Sequence, residues 1–373
     1  MKKISLIILI ISVIFSSCKN GDWEFPDNDV SAVYFAYQSP VRTITLGKDY
    51  VNDNTFDNNR QCQIMATVGG FYNVKKDIEI SFRVENSLCD HLENVTAMPS
   101  DYYSLSDNGK MIIKKGSKMI GGVVVQLTDA FFNDPLSLSA HYVIPLVITG
   151  VKNADRILAG TQADGVSSPN RLNPEDWKVL PKDYTLFAVK YINPYDLIYL
   201  RRGTDNITED GDQRTVERPE VKQGDPPKNH PEDDEVIKLS SISLNEIEFP
   251  VNNHRNNNVN LNMTFKLNFS TNQTCTFANG AWKDNQLVDE YTGANFRVFD
   301  ITVSGNGEYR SDGEKNSWGN KDRDALYLNY TVEYKVENPL GSAPQAIKYV
   351  TTDILVFRDR DVSLETFEPK LKP

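Results

Sequence analysis

The sequence is poor in the residues that carry covalent and metal chemistry. Its 373 residues include four cysteines and four histidines, and the histidines are scattered at positions 91, 141, 230 and 254. No G-x-S-x-G, H-E-x-x-H or P-loop pattern occurs. No cysteine pair has the spacing of zinc ligands. We therefore expect no catalytic residues, no cofactor and no metal site, and we predict that the chain is not an enzyme.

Two patterns keep chemical alternatives open. Asn320, Asp322 and Asp324 alternate as calcium ligands do, but Ala325 stands where an EF-hand needs glycine and Thr331 where it needs the closing acid. An irregular calcium site stays open on this pattern. Aspartate and glutamate together number 51, so a divergent glycosidase with a catalytic carboxylate pair also stays an alternative.

The chain also lacks an excess of positive charge. Its net charge is −11, and removal of Lys2 and Lys3 with the leading segment described next makes it −13. Like charge repels nucleic acid and anionic glycans, and no basic run offsets that repulsion. We therefore expect neither as a partner.

The chain begins with the pattern of a bacterial secretion signal. Lys2 and Lys3 precede the apolar run 4–15, which is shorter than the roughly 20 residues that span a bilayer. Two serines then precede Cys18, as in a lipobox, so we predict cleavage after residue 17 and lipidation of Cys18. Residues 18–29 would form a polar, acidic tether to the outer membrane. An ordinary signal peptide with a chance cysteine is the alternative.

The other cysteines leave two possibilities open. Cys62 and Cys89 could pair in an oxidising compartment, with Cys275 left over. All three could equally be buried free thiols, since free cysteine is commonly buried.

The pattern from residue 30 to residue 151 indicates an immunoglobulin-like β-sandwich. About seven short strands are separated by turn residues, as in a sandwich of that size. The clearest is 77–84, in which Ile78, Ile80, Phe82 and Val84 share one face. Residues 152–183 lose this periodicity and contain several glycines and prolines, which is typical of a linker.

Residues 184–373 indicate a larger antiparallel β-barrel or sandwich domain. Apolar and polar residues alternate without a break from Val259 to Ser270, a pattern typical of a long strand with one buried face. Residues 203–235 are acidic and proline-rich, so we predict a mobile acidic loop within this domain. The predicted fold class is therefore all-β, with two domains.

Several phrases of the sequence resemble one protein family. They are Ile112–Gly116, Phe132–Leu136, Tyr142–Leu146, Asp155–Gly160, Lys190–Tyr195 and the phrase Tyr199-Leu200-Arg201-Arg202-Gly203. Together they resemble outer-membrane lipoproteins of Bacteroidetes that carry an N-terminal domain of unknown function. The acids Asp22 and Glu24 after Cys18 resemble the export signal that sends such lipoproteins to the cell exterior.

The resemblance implies a function but names no ligand. Members of the family are typically encoded beside glycan-import systems, so it implies a surface accessory protein of polysaccharide utilisation. An outer-membrane glycan import complex is then the expected partner. The phrases are structural and not catalytic, so they point to lineage more than to chemistry.

Two loops have the composition of a sugar-binding site. Each places a tryptophan among amides, acids and a basic residue, which suits stacking on sugar C–H faces and hydrogen bonding to hydroxyls. The candidate glycan-binding residues are Trp282, Asn285, Tyr309, Trp318, Asn320, Asp322 and Arg323. The alternative is that Trp282 and Trp318 cap the end of a barrel.

These observations predict a lipid-anchored protein that faces the cell exterior and captures a glycan without cleaving it. One alternative is a structural or assembly protein of the outer membrane that contacts a protein partner. The divergent glycosidase is the other. The glycan and the oligomeric state are not predicted.

Overall fold

The computed structural model describes residues 30–221, 226–254, 260–279, 286–288, 295–337 and 343–372. The predicted signal, the tether with Cys18, and the candidate residues Trp282 and Asn285 lie outside these ranges. Within them, no helix is long and apolar enough to cross a membrane. The prediction of an all-β fold is confirmed.

The N-terminal half is built from thirteen strands and two short helices. The strands are β1 (Ala32–Tyr34), β2 (Pro40–Thr45), β3 (Gln61–Gly69), β4 (Ile78–Val84), β5 (Thr96–Ala97), β6 (Tyr103–Leu105), β7 (Lys110–Ile113), β8 (Ile120–Leu127), β9 (Tyr142–Lys152), β10 (Arg156–Ile157), β11 (Thr161–Gln162), β12 (Trp177–Val179) and β13 (Tyr184–Ile192). The helices are α1 (Thr55–Asn58) and α2 (Asp129–Asn133).

The described part of the C-terminal half contains twelve strands of 2 to 23 residues. They are β14 (Ile198–Glu209), β15 (Asp212–Arg218), β16 (Glu235–Lys238), β17 (Ser240–Ser241), β18 (Glu246–His254), β19 (Asn260–Phe269), β20 (Thr274–Asn279), β21 (Gln286–Val288), β22 (Asn295–Ser317), β23 (Lys321–Val336), β24 (Gln345–Asp359) and β25 (Glu365–Thr366). Short 3-10 turns lie at Asn86–Cys89, Pro135–Leu138, Pro174–Asp176 and Pro231–Asp233.

The N-terminal unit is a sandwich of two sheets. One has the strand order β10-β1-β3-β8-β6, and the other has the order β25-β2-β13-β9-β4-β7, with β5 beside β9. Alternating residues of each sheet, such as Ile64 and Val123 from one and Ile80 and Ile144 from the other, pack in a single core. The sandwich forms because apolar residues recur at every second position of these strands, which gives each strand one apolar face to bury.

The structure moves the boundary that the sequence suggested between the two units. Strand β13 was predicted to open the C-terminal domain, but it pairs with β2 and β9 in the N-terminal sheet. Phe187 and Val189 pack into the sandwich core, while Leu186 and Ala188 pack into a smaller core on the opposite face of the sheet. A strand covered on both faces is a nearly continuous apolar run, and nothing in such a run tells which sheet it joins.

Two further predicted segments also contain regular structure. The predicted linker 152–183 includes β10, which pairs with β1, and a small hairpin of β11 and β12. The first part of the predicted acidic loop, residues 203–218, forms most of the hairpin of β14 and β15. Its inward side chains include Asp205 and Arg218, and this polar composition hid the strand pattern.

The C-terminal unit is one curled antiparallel sheet in the described ranges. Its order is β15-β14-β24-β23-β22-β20-β19-β18-β17, with β16 also on β14 and β21 on β22. Ile207 near one end of this order, Leu328 in the middle and Ile247 near the other end belong to one core cluster. The inner face therefore curls around a single core.

The three cysteines in the described ranges, Cys62, Cys89 and Cys275, are buried free thiols. The disulfide alternative for Cys62 and Cys89 is therefore not realised. Burial raises the pKa of each of the three thiols to about 12, so they act as small apolar side chains.

The two units are joined by a polar contact centred on Asp324. The Tyr50 hydroxyl, from the loop after β2, lies 2.7 Å from Asp324 Oδ1 and 3.0 Å from Asp312 Oδ1. Lys48 Nζ donates to Asp312 Oδ1 at 2.6 Å. Arg360, at the end of β24, donates back to the Lys48 carbonyl oxygen at 2.6 Å. Hydrogen bonds and an ion pair from residues of both units thus hold the two units together.

We expect Tyr50→Phe to weaken this contact. The change removes the hydroxyl beside the buried Asp324 carboxylate, so the free energy of unfolding should fall by about 1–3 kcal/mol. Urea unfolding measures the difference. Tyr37→Phe is the matched control, because Tyr37 is 53% exposed and its loss should change stability by less than about 0.5 kcal/mol. Equal stability of the two variants would contradict the role given to Tyr50.

Candidate functional site

The long hairpin of β22 and β23 ends in a turn that carries several of the predicted residues. Ser317 pairs with Lys321, and the Asn320 backbone N–H donates to the Ser317 carbonyl oxygen at 2.8 Å. Gly319 and Asn320 both have positive φ, at 68° and 55°. Glycine and asparagine are the residue types that adopt this conformation most readily. We call residues 316–322 the hairpin tip.

Trp318 is half-buried at the hairpin tip. The Arg358 guanidinium lies over its ring, 5.5 Å from the centroid. Its carbonyl oxygen accepts a hydrogen bond from Arg323 Nε at 2.9 Å. The indole thus packs on one guanidinium, a second arginine fixes its backbone, and part of the ring is open to solvent.

Asn320 and Asp322 are exposed at the hairpin tip, close in sequence to Trp318. Asp322 accepts hydrogen bonds from Lys315 Nζ at 2.9 Å and from the Asn316 backbone N–H at 3.1 Å. These bonds lower the pKa of the Asp322 carboxyl. The hairpin tip therefore presents an amide, a charged carboxylate and part of an indole to solvent.

Tyr309 and Arg323, also predicted to bind glycan, have buried side chains with exposed fractions of 6% and 7%. The Tyr309 hydroxyl donates to Asp324 Oδ2 at 2.8 Å, and burial raises its pKa well above the usual value. Arg323 lies 4.7 Å from the centroid of Tyr50. These two residues support the hairpin tip and the contact between the units, and they do not present a surface to a ligand.

A feature that the sequence did not predict lies on the outer face of the curled sheet. Six neighbouring strands place an uncharged polar residue at the same level, in the order Thr204, Thr352, Asn329, Asn306, Thr276 and Asn268. Four of the six are exposed, and Thr204 and Asn268 are half-buried. The Asn268 Oδ1 atom has no hydrogen-bond partner. Strands spaced by about 4.8 Å make this row about 24 Å long.

A second uncharged row runs beside the first. It consists of Asn206, Val350, Thr331 and Ser304 on four adjacent strands. The ion pair of Lys348 and Glu333, at 2.8 Å, bounds it on the far side. We call the two rows together the neutral belt.

An aromatic residue borders the neutral belt on the side of the hairpin tip. Tyr327 is half-buried on the outer face and donates to Glu314 Oε1 at 2.7 Å. Partial burial and then the Glu314 carboxylate raise the pKa of Tyr327 to about 12. The Arg310 guanidinium lies 4.8 Å from its ring centroid.

Apart from Val350, the neutral belt presents hydroxyls and amides, which both donate and accept hydrogen bonds. Such a surface suits a ligand that is itself uncharged and rich in hydroxyl groups. In the described residues, no group of three or more histidines, cysteines and acids is placed to hold a metal ion.

Sequence reasoning missed the neutral belt because it depends on strand register. The outward residues of each strand could be recognised singly. Asn268, for example, follows the buried Leu267 in β19 and therefore points to the other face of the sheet. Their alignment across six strands depends on pairings between residues up to about 150 positions apart, such as Thr204 with Thr352. The available signal was the choice of Asn and Thr over Lys and Glu at outward positions of several strands.

Two family models match separate parts of the chain. Residues 26–155 match a model described as a "-like, N-terminal domain", and residues 194–361 match a domain of unknown function, DUF5627. The second match covers most of the curled sheet. No curated protein matches the chain.

The chain is similar to a crystal structure of a protein of unknown function from Bacteroides ovatus. The two share 36% sequence identity with a TM-score of 0.74, over 91% of this chain and 99% of that one. A multidomain protein including DUF1735 from Bacteroides ovatus and an auxiliary nutrient binding protein from Bacteroides thetaiotaomicron are each 13% identical. Their TM-scores are 0.34 and 0.31, over 84% of this chain and 90% of each of theirs. Neither of these two distant likenesses extends to function.

We expect Asn320 to have a structural role that can be separated from ligand contact. Asn320→Val places a β-branched residue at φ 55° and should lower the free energy of unfolding by about 1–2 kcal/mol, whereas Asn320→Gly should not. Lys321→Val is the control, because Lys321 is exposed at the start of β23. Thermal unfolding of the three variants checks this, and a stable Asn320→Val variant would contradict it.

Proposed function

We propose that this protein captures an uncharged glycan without cleaving it. The chain belongs to the same family as the Bacteroides ovatus protein of unknown function, and the proposal starts from that membership. The neutral belt carries this proposal. In a chain with 24% charged residues, six neighbouring strands align uncharged polar side chains, and charged pairs begin only beyond them.

Physical chemistry favours a glycan on this surface over other ligands. Sugar hydroxyls can exchange their hydrogen bonds with water for bonds to the Asn amides and Thr hydroxyls, and each bond contributes about 0.5–1.5 kcal/mol. No single contact is strong, so a long row suits a ligand that repeats. The chain's negative charge opposes an anionic polysaccharide, which leaves a neutral one.

The hairpin tip supplies an aromatic contact on the same hairpin as the neutral belt, since the Ser317–Lys321 pair lies eight residues along β23 from Asn329, or about 26 Å at 3.3 Å per residue. Trp318 can place its partly open indole against the C–H face of a sugar, while Asn320 and Asp322 hydrogen-bond to its hydroxyls. This retains three of the residues predicted from sequence, while Tyr309 and Arg323 act beneath them.

The proposed location follows from the first residues of the sequence. Lipidation of Cys18 would anchor the chain at the outer membrane, and the acidic tether would direct it to the cell exterior. Glycan captured there would pass to an outer-membrane import complex. Detection of a lipidated Cys18 by mass spectrometry, and protease access on intact cells, would test the location independently of binding.

We expect a neutral polysaccharide to bind the neutral belt. The chain from Asn20 onward, without lipid, is run on affinity gels and in calorimetry against neutral and acidic polysaccharides. Asn329→Ala with Thr352→Ala removes adjacent hydrogen-bonding groups from β23 and β24 and should weaken binding about 5- to 100-fold. Glu333→Ala with Lys348→Ala, on the same two strands but outside the belt, should leave affinity unchanged. Binding of no neutral polysaccharide, or equal losses in both double variants, would contradict the proposal and favour a protein partner.

We expect Trp318→Ala to abolish or strongly reduce glycan binding at an unchanged melting temperature, because the indole is half-buried at a turn. Trp177→Ala is the control, since Trp177 is a half-buried tryptophan of the N-terminal unit. Calorimetry and thermal unfolding are measured on both. An unfolded Trp318→Ala variant would show that the residue caps the sheet, as the alternative holds.

A further inference from the structure

A cavity opens on the inner side of the same sheet, where two short strands meet along β14. Strand β16 pairs with residues 198–201 of β14, and β15 pairs with residues 203–209. Between them lies a cavity of about 200 Å³. Its lining residues are Asp205, Ile207, Val216, Arg218, Pro219, Glu220 and Glu235.

The cavity is built on a buried ionic network centred on Asp353, which is fully buried. Asp353 Oδ2 accepts from Arg201 Nε at 3.0 Å and Nη2 at 2.8 Å, and Oδ1 accepts from Arg218 Nη2 at 2.7 Å. Tyr330 donates to Oδ2 at 2.9 Å. Burial by itself would raise the pKa of Asp353, but the two guanidiniums hold it below the usual value.

Gly203 makes this network possible. It lies on β14 between Asp353 of β24 and Arg218 of β15, and it is paired with both. A Cβ atom on Gly203 would come within 2.2 Å of Asp353 Oδ1. The missing side chain lets Arg218 reach across the strand to the carboxylate.

Two carboxylates hold Arg218 in place, but one nitrogen of its guanidinium group has no hydrogen-bond partner. Its side chain is 10% exposed, and its two Nη atoms bond to Asp205 and Asp353. Thr351 fixes Asp205 from behind with a 2.5 Å hydrogen bond to Oδ1. The Arg218 Nε–H group is buried and has no partner. A buried donor without an acceptor costs about 1–3 kcal/mol, so Arg218 keeps unused hydrogen-bonding capacity beside the cavity that it lines.

We propose that this cavity is a second site, separate from the neutral belt, that binds one uncharged sugar residue at the end of a glycan chain. The Arg218 guanidinium, which lines the cavity, donates to a sugar hydroxyl, and the carboxylates of Asp205, Glu220 and Glu235 accept from its neighbours. Ile207, Val216 and Pro219 contact its C–H groups.

Charge and size define the ligand class. Three carboxylates and one guanidinium line the cavity, so a uronic acid would be repelled. Among the described residues these acids are not placed as metal ligands, which argues against a divalent cation. The volume is below the roughly 300–1,000 Å³ of pockets for larger ligands and suits a single residue.

The two sites lie on opposite faces of the same strands, so they can be tested separately. Arg218 points inward to the cavity, and its neighbour Glu217 pairs with Thr204 at the end of the neutral belt on the outer face. Changes in one site should therefore leave the other intact.

The test uses uncharged methyl glycosides of common hexoses and pentoses, with the matching uronic acids, in calorimetry with the whole chain from Asn20. We expect at least one neutral glycoside to bind and every uronic acid to bind at least tenfold more weakly. Val216→Phe fills the cavity without changing charge and should lower affinity at least tenfold. Glu220→Gln preserves shape at an exposed position and should lower it several-fold.

Gln213→Phe, an exposed change on the same strand outside the cavity, is the matched control and should bind as the unchanged chain does. The double variant Asn329→Ala with Thr352→Ala should also bind the glycoside normally, which separates this site from the neutral belt. The proposal is overturned if no neutral glycoside binds at millimolar concentration, if uronic acids bind better, or if Val216→Phe binds normally while melting as the unchanged chain does.

Discussion

The C-terminal sheet depends on one buried carboxylate shared by two arginines. Asp353 on β24 accepts hydrogen bonds from Arg201 on β14 and from Arg218 on β15. An isolated buried charge is costly, and removal of one partner from such a pair typically costs about 3–5 kcal/mol. A shift of β14 by one residue would turn Arg201 outward and put a side chain in place of Gly203. The ionic network therefore selects a single register for three strands.

That register determines what both faces of the sheet display. Because side chains alternate, the residues flanking Asp353 and Gly203 must point outward, and Thr352 and Thr204 begin the neutral belt there. On the inner face, the same pairing brings Asp205 beside Thr351 and Arg218 and forms the floor of the cavity. A change at Asp353 should therefore disturb both proposed sites, whereas changes at the belt or at the cavity rim act on one.

The strands could be predicted from the sequence, but the sheets could not. Met263, Phe265, Leu267 and Phe269 are buried in β19, as the alternation from Val259 to Ser270 predicts. Alternation is a local property of one strand. The assignment of β13 to the N-terminal sheet depends on which neighbours cover its two apolar faces, and that is a property of distant residues. The hairpin of β14 and β15 was predicted as a loop because its inward charges satisfy one another only in the folded state.

The candidate site shows the same limit at the level of single residues. Trp318 follows a strand and lies in a turn, so no alternation assigns it to the core, and its partial exposure agrees with the composition of the loop. Tyr309 lies within β22, where the inward direction is set by pairing with Leu326 of β23, and its hydroxyl is taken up by Asp324. Arg323 is held by the turn carbonyl and by the Tyr50 ring from the other unit. Composition can thus identify a loop with suitable chemistry, but the contact between the two units decides which of its side chains are left to meet a ligand.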